Sequence, residues 1–214
     1  MKRIFALIVL CALLTGCAAV PQAEQTQYTA TFLTLFDTVT TIIGRAEDEA
    51  AFQSKVQPIH NALQYYHELF DIYNDYEGVN NIKTINDNAG VAPVAVDKAI
   101  IDLLTDCKAY YALSGGRVNV MMGSVLRLWH EARNDGLNDP ANAKLPDQNA
   151  LLEAANHISM DALVIDETAS TVYLSDPQAS LDVGAVAKGW ATQRAAEAAA
   201  EGMLISVGGN VCAT

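Results

Sequence analysis

Between Glu47 and Phe70 the apolar residues Phe52, Val56, Ile59, Leu63, Tyr66 and Leu69 recur at steps of three or four. That period places them on one stripe of an amphipathic helix. Ahead of it, Tyr28 to Gly44 is dense in Thr, Phe, Val and Ile, and predicts one long strand or a strand pair interrupted at Asp37. Tyr73 to Gly90 is rich in Asn, Asp and Gly and reads as a loop or a broken helix, with a short strand at Val94 to Val96. A second helix is predicted over Asp97 to Leu113, stopped by Ser114-Gly115-Gly116. Val118 to Val120 reads as a strand residue or two leading into a helix from about Met121 to Arg133. Asn134 to Asp147 then reads as an exposed linker.

Further along, Gln148 to His157 predicts a short helix. Leu163 to Ile165 and Thr171 to Leu174 flank a polar turn and predict a hairpin. Ser180 to Val183 (strand), Ala185 to Glu201 (helix) and Met203 to Val207 (strand) together predict a β–α–β unit. The expected class is α+β: a mixed β-sheet packed with helices, with a ligand cleft at the strand–helix turns.

Composition narrows the function classes. The 214 residues are 51% hydrophobic, enough for one domain or one and a half with a sizeable core. A net charge of −12 argues against a nucleic-acid partner, because phosphate contacts need clustered Lys and Arg.

The start of the chain carries a targeting pattern. Lys2-Arg3 precede a short apolar run, Ile4 to Leu14, that ends in Leu14-Thr15-Gly16-Cys17. This resembles a bacterial lipobox, with a plain secretory signal as the alternative. The expected organisation is a signal segment over 1–16, a lipidated tether over 17–27 beginning at Cys17, and a domain over 28–214. Such a protein sits outside the cytoplasm, held to the membrane by lipid. Cys107 lies in an apolar helical pattern and reads as core. With Cys212 as its one possible partner in the domain, no disulfide framework is implied, and no CxxC or paired His suggests zinc.

The richest chemistry lies in Ser180 to Trp190. A carboxylate, Asp182, comes just before a glycine turn, and Lys188 falls on the first turn of the helix that follows. Free N–H groups at a helix start plus an ammonium suit a phosphate-bearing ligand, and a plain strand–helix connection is the other reading. The pattern is not GxGxxG. Gly208-Gly209-Asn210 reads either as a ligand-approach turn or as an ordinary hairpin. Trp129 reads as core. His130 reads as a polar-face residue with no nucleophile paired to it, and His60 and His67 are read the same way. Tyr73-Asn74-Asp75-Tyr76 offers aromatic rings in a polar loop, where they can stack on a planar ligand.

Taken together, five segments resemble the FAD:protein FMN transferase family of ApbE-type flavin transferases. They are Leu35 to Thr38, Tyr73 to Asn86, Gly116 to Trp129, Asp182 to Gly189 and Ser206 to Asn210. The most specific is Asp182-Val183-Gly184-Ala185-Val186-Ala187-Lys188-Gly189, close to the family's D-[LV]-G-A-[IV]-A-K-G.

The resemblance implies an enzyme that binds FAD and Mg²⁺. It moves FMN to a Thr or Ser hydroxyl of an acceptor protein and releases AMP. It also implies FAD contacts at Phe36, Tyr73, Arg117, Val118, Asn119, Asp182 and Lys188, and a Mg²⁺ ligand at the backbone carbonyl of Ala185. Phe36 stands where the family usually has Met, and Arg117 where it has a small residue. The family pattern continues past the glycine turn with the rest of its metal site. The expectation is therefore an N-terminal portion whose fold is incomplete at the C-terminus and whose catalytic groups lie beyond Thr214. A flavin-binding lipoprotein without transfer activity, and an FAD pyrophosphatase, are the alternatives.

Overall fold

The computed structural model describes residues 25–214. The signal segment and Cys17 lie outside the described residues. The expected strand pair forms as β1 (Thr26–Leu35) and β2 (Thr38–Ala46), joined antiparallel through the two-residue turn Phe36-Asp37. Both turn residues have positive φ, 54° and 50°. This left-handed geometry matches the twist of the flanking strands, which is why two-residue hairpins adopt it. The amphipathic stripe forms α1 (Glu49–Phe70), whose Asp48 side chain caps the Ala51 amide. Inside the expected broken helix lies α2 (Ile82–Asp87), closed by a capping box between Asn81 and Thr84.

Next come β3 (Val94–Ala95), α3 (Lys98–Leu113), α4 (Gly123–Asn138) and α5 (Gln148–Ala154). They are followed by β4 (Leu163–Asp166), β5 (Thr171–Leu174), α6 (Ala187–Glu197), β6 (Met203–Val207) and β7 (Asn210–Ala213). Two sheets result, ordered β1-β2-β6-β7 and β3-β5-β4. One continuous core joins them to the helices. Phe52, Ile59 and Leu63 of α1, Ile42 of β2 and Ile205 of β6 belong to it, and Leu103 and Leu104 of α3 are fully buried. Each such side chain contributes about 1.5–3 kcal/mol by leaving water.

The α+β class holds, and several expected elements differ. Every strand pairing in the two sheets is antiparallel, so the expected single mixed sheet is two antiparallel ones. Ser180 to Val183 is not a strand: it makes one parallel bridge, Ser180 to Met122, and then turns. The β–α–β unit is therefore absent, and β6 pairs with β2 instead. The apolar run at Leu181 and Val183 arises because both are buried between layers, which needs no ladder.

Val118 to Val120 is likewise irregular, with Asn119 Oδ1 accepting from the Met121 amide to make a turn. Helix α4 begins at Gly123 and runs five residues past Arg133, shortening the linker. The expected helix over Gln148–His157 ends at Ala154 and finishes in a 3₁₀ turn. Trp129 is 44% exposed and is not core. Cys107 is core as expected, and neither it nor Cys212 forms a disulfide. Among the described residues no helix is long and apolar enough to cross a membrane.

Candidate flavin-binding cleft

Four separate pieces of chain meet around a cleft of about 340 Å³. The β1–β2 turn gives Phe36 and Asp37. The segment after α1 gives Asp71, Ile72 and Tyr73. Helix α4 gives His130 and Arg133. The irregular segment and the start of α6 give Asp182, Gly184 and Lys188. Its volume is at the lower end for small-ligand sites.

Each wall is fixed by identifiable contacts. The Phe36 amide donates to His67 Nδ1 at 3.2 Å, and its ring meets the His67 ring edge-on at 5.5 Å. His67, read from sequence as an ordinary helix-face residue, therefore holds a left-handed turn in place. Its Nε2 lies 3.3 Å from the Tyr76 hydroxyl, which donates to Asp71 Oδ2 at 2.8 Å. Asp71 also accepts from the amides of Tyr73 and Asn74 and from the Asn74 side chain. Burial pushes the Asp71 carboxyl up, but those hydrogen bonds outweigh it and hold the group below the usual carboxylate range.

The opposite wall is stitched from three elements. Asn86 of α2 bonds both backbone groups of Leu181. Gly123, at the start of α4, donates to Ser180 O at 3.0 Å, and Asp182 donates to Val120 O at 2.8 Å. A Cβ on Gly123 would stand 2.4 Å from Ser180 O, so only glycine allows this approach. Two helical turns beyond Gly123, the same face of α4 carries His130, which it brings beside Asp182.

Asp182 is 8% exposed at its side chain. Its Oδ1 accepts from the Gly184 amide at 2.9 Å, and its Oδ2 lies 3.9 Å from His130 Nε2. The other ring nitrogen, Nδ1, is 2.8 Å from the Tyr73 hydroxyl. Burial, then the charge of Asp182, raise the Tyr73 phenol above its ordinary value. The phenol stays protonated and can donate to Nδ1 when the imidazole hydrogen sits on Nε2, the nitrogen that faces Asp182. Sequence reading found no partner for His130; the fold supplies two.

Helix α6 begins at Ala187, two residues later than expected, with no side-chain cap. The Lys188 and Gly189 amides of its first turn find no backbone acceptor among the described residues, and the Ala185 carbonyl accepts no hydrogen bond there. Lys188 Nζ folds back to Gly184 O at 3.3 Å. Open N–H groups, an ammonium and an exposed carbonyl thus stand together at the cleft edge, as a phosphate-bearing ligand requires.

Of the residues singled out from sequence, Phe36, Tyr73, Asp182 and Lys188 line this cleft. Ala185 lies on the turn between its wall and α6. Arg117 and Val118 are exposed and do not line it. Asn119 is engaged structurally, donating to Ile158 O at 2.9 Å. Sequence reasoning missed His130 and Arg133. The seven-residue step from Gly123 to His130 was the available signal.

The family model described as "ApbE family" matches residues 26–214. The chain belongs to the ApbE family. Among curated relatives it is 30% identical over 171 residues to the FAD:protein FMN transferase of Treponema pallidum, covering 72% of this chain and 44% of that protein. It is also 30% identical over 152 residues to the enzyme of the same name from Klebsiella pneumoniae, covering 67% and 46%. The chain thus spans about half the length of these relatives. Among solved structures, the flavin transferase ApbE from Vibrio cholerae superposes with a TM-score of 0.69 at 17% identity, covering 87% of this chain and 58% of that one. The ApbE protein of Thermotoga maritima gives 0.66 at 22%, covering 80% and 52%. At these identities the two structures establish a shared ApbE fold.

Proposed function

We propose that this chain is the FAD-holding part of an FAD:protein FMN transferase. The observation that carries the reading is the convergence, in a chain of this family, of Phe36, Tyr73, Asp182 and Lys188 on one cleft. The Tyr73 ring is 55% exposed, tied by its hydroxyl to His130, and offers a face to a planar ring system. The first turn of α6 and Lys188 suit the diphosphate. Arg117, Val118 and Asn119, which lie outside the cleft as it stands, belong to the same proposal as contacts to a more distant part of the dinucleotide.

In the proposed reaction a Thr or Ser hydroxyl of the acceptor protein attacks the FMN phosphorus. A new P–O ester bond forms, the diphosphate bond to AMP breaks, and the hydroxyl proton is released. Mg²⁺ supplies charge neutralisation at the diphosphate when bound. Among the described residues no three His, Cys, Asp or Glu groups converge on a metal-sized position. The unengaged Ala185 carbonyl fits a hard cation that takes most of its oxygens from phosphate and water. The lipobox ending at Cys17 supports a further part of the proposal: the protein is lipid-anchored outside the cytoplasm, and its acceptor is reached there.

The test supplies the full-length transferase that contains this chain with FAD, Mg²⁺ and an acceptor, and reads in-gel flavin fluorescence together with AMP release. Fluorescent acceptor and AMP in equal amounts are expected. Free FMN with a dark acceptor would replace transfer by hydrolysis, and no FAD affinity at all would sink the reading.

A further inference from the structure

We propose that His130 is a positioning residue for the flavin nucleotide, tying the Tyr73 ring to the Asp182 carboxylate across the mouth of the cleft. This role rests on the FAD reading above.

The geometry carries it. Tyr73 is the exposed aromatic of the cleft, and an exposed ring on a loop ordinarily samples several rotamers. Here it is held at both ends. Its amide donates to Asp71 Oδ1 at 2.6 Å, and its hydroxyl lies 2.8 Å from His130 Nδ1. On the far side of the imidazole stands a carboxylate whose Oδ1 is already taken by Gly184 and whose Oδ2 lies 3.9 Å from His130 Nε2. That separation is beyond a hydrogen bond and within ion-pair range. One imidazole therefore touches two groups of opposite need: a phenol that donates and a carboxylate that accepts.

The tie joins three chain segments, two of which, α4 and the segment before α6, also bond through their backbones at Gly123 and Ser180. Tyr73 follows α1, His130 is on α4, and Asp182 is on the irregular segment before α6. Fixing them in advance lowers the ordering cost when a ligand binds. Tyr73 from the loop and Asp182 from the segment before α6 approach the ring, with Arg133 one turn along its own helix. Asp37, Asp71 and Lys188 line the rest of the cleft.

The experiment titrates FAD against the wild-type chain and against His130→Leu, Tyr73→Phe and the double variant, by flavin fluorescence between pH 5.5 and 8.5. His130→Leu is expected to bind FAD about tenfold more weakly, the value of roughly one hydrogen bond with a charged or buried partner. Adding Tyr73→Phe to it should then change little, because the two residues act as one unit. The ring nitrogen resonances of His130 in the ligand-free protein, read at one pH by nuclear magnetic resonance, should move on Asp182→Asn and on Tyr73→Phe. His130→Asn should restore part of the affinity through an amide near the Nδ1 position. A wild-type affinity in His130→Leu, additive losses with Tyr73→Phe, or His130 ring resonances indifferent to both neighbours would each overturn the role. Absence of FAD binding in the wild type would instead overturn the flavin reading, and this role with it.

Discussion

Asn86 holds Leu181 by both of its main-chain polar groups: Nδ2 donates to Leu181 O at 3.0 Å, and Oδ1 accepts from Leu181 N at 2.7 Å. The two residues are 95 positions apart in the chain. The side chain does the work of a neighbouring strand for a segment that has none, and the next residue is Asp182. Replacing Asn86 with Leu leaves a buried amide and carbonyl without partners, which costs about 2–4 kcal/mol for the pair. Urea unfolding should show that loss, and FAD affinity should fall with it because Asp182 is no longer held in register.

Gly123→Ala should be as disruptive for a different reason. The new methyl would stand 2.4 Å from Ser180 O, a backbone atom that cannot rotate away. Separating α4 from that segment is expected to cost about 2–3 kcal/mol. His130, carried away from Asp182, should show altered ring resonances in the nuclear magnetic resonance spectrum.

Asp37→Gly should act in the opposite direction. Asp37 sits at φ 50°, where a side chain is disfavoured and glycine is not. A gain of about 0.5–1 kcal/mol in urea unfolding is expected. Phe36 has similar strain at φ 54° but should not respond alike, because its ring packs against the core and the edge of His67.

The Asp71 carboxyl, held low in the fold, makes stability depend on acidity. Above its ordinary value the group is ionised in both states, and its contribution is complete. As pH falls through that value the unfolded chain takes up the proton first, and stability is lost until the folded group also protonates. The urea midpoint should therefore drop between about pH 5 and pH 2, and Asp71→Asn should flatten that drop.

The two cysteines of the domain should part company in a thiol assay. Burial, and then the charge of Asp106, push Cys107 up to about 12. Cys212, on β7, is only half-buried, with its Sγ 3.4 Å from Gln193 Oε1. Peptide mapping after mild alkylation should find Cys212 modified and Cys107 intact until urea unfolds the chain.

Much of the fold was legible because local pattern and burial agree. The stripe from Phe52 to Leu69 gave α1 to within two residues, and Asp37 marked the hairpin turn. The elements that differed were decided by long-range contacts. Ser180 to Val183 has the apolar content of a strand, but its backbone bonds go to Asn86, Gly123 and Val120, which no local window reveals. Phe36, Tyr73, Asp182 and Lys188 were found through motif resemblance and do share a cleft. His67 and His130 were not found as site residues, since a histidine acquires its role from neighbours that only folding supplies.

The cleft takes a residue or a few from each of four stretches scattered between positions 36 and 188. A chain cleaved or stalled midway through folding therefore lacks the assembled cleft. On the proposed reading, a bound dinucleotide would report that all four stretches have reached their places, and it would in turn defend each of them against unravelling.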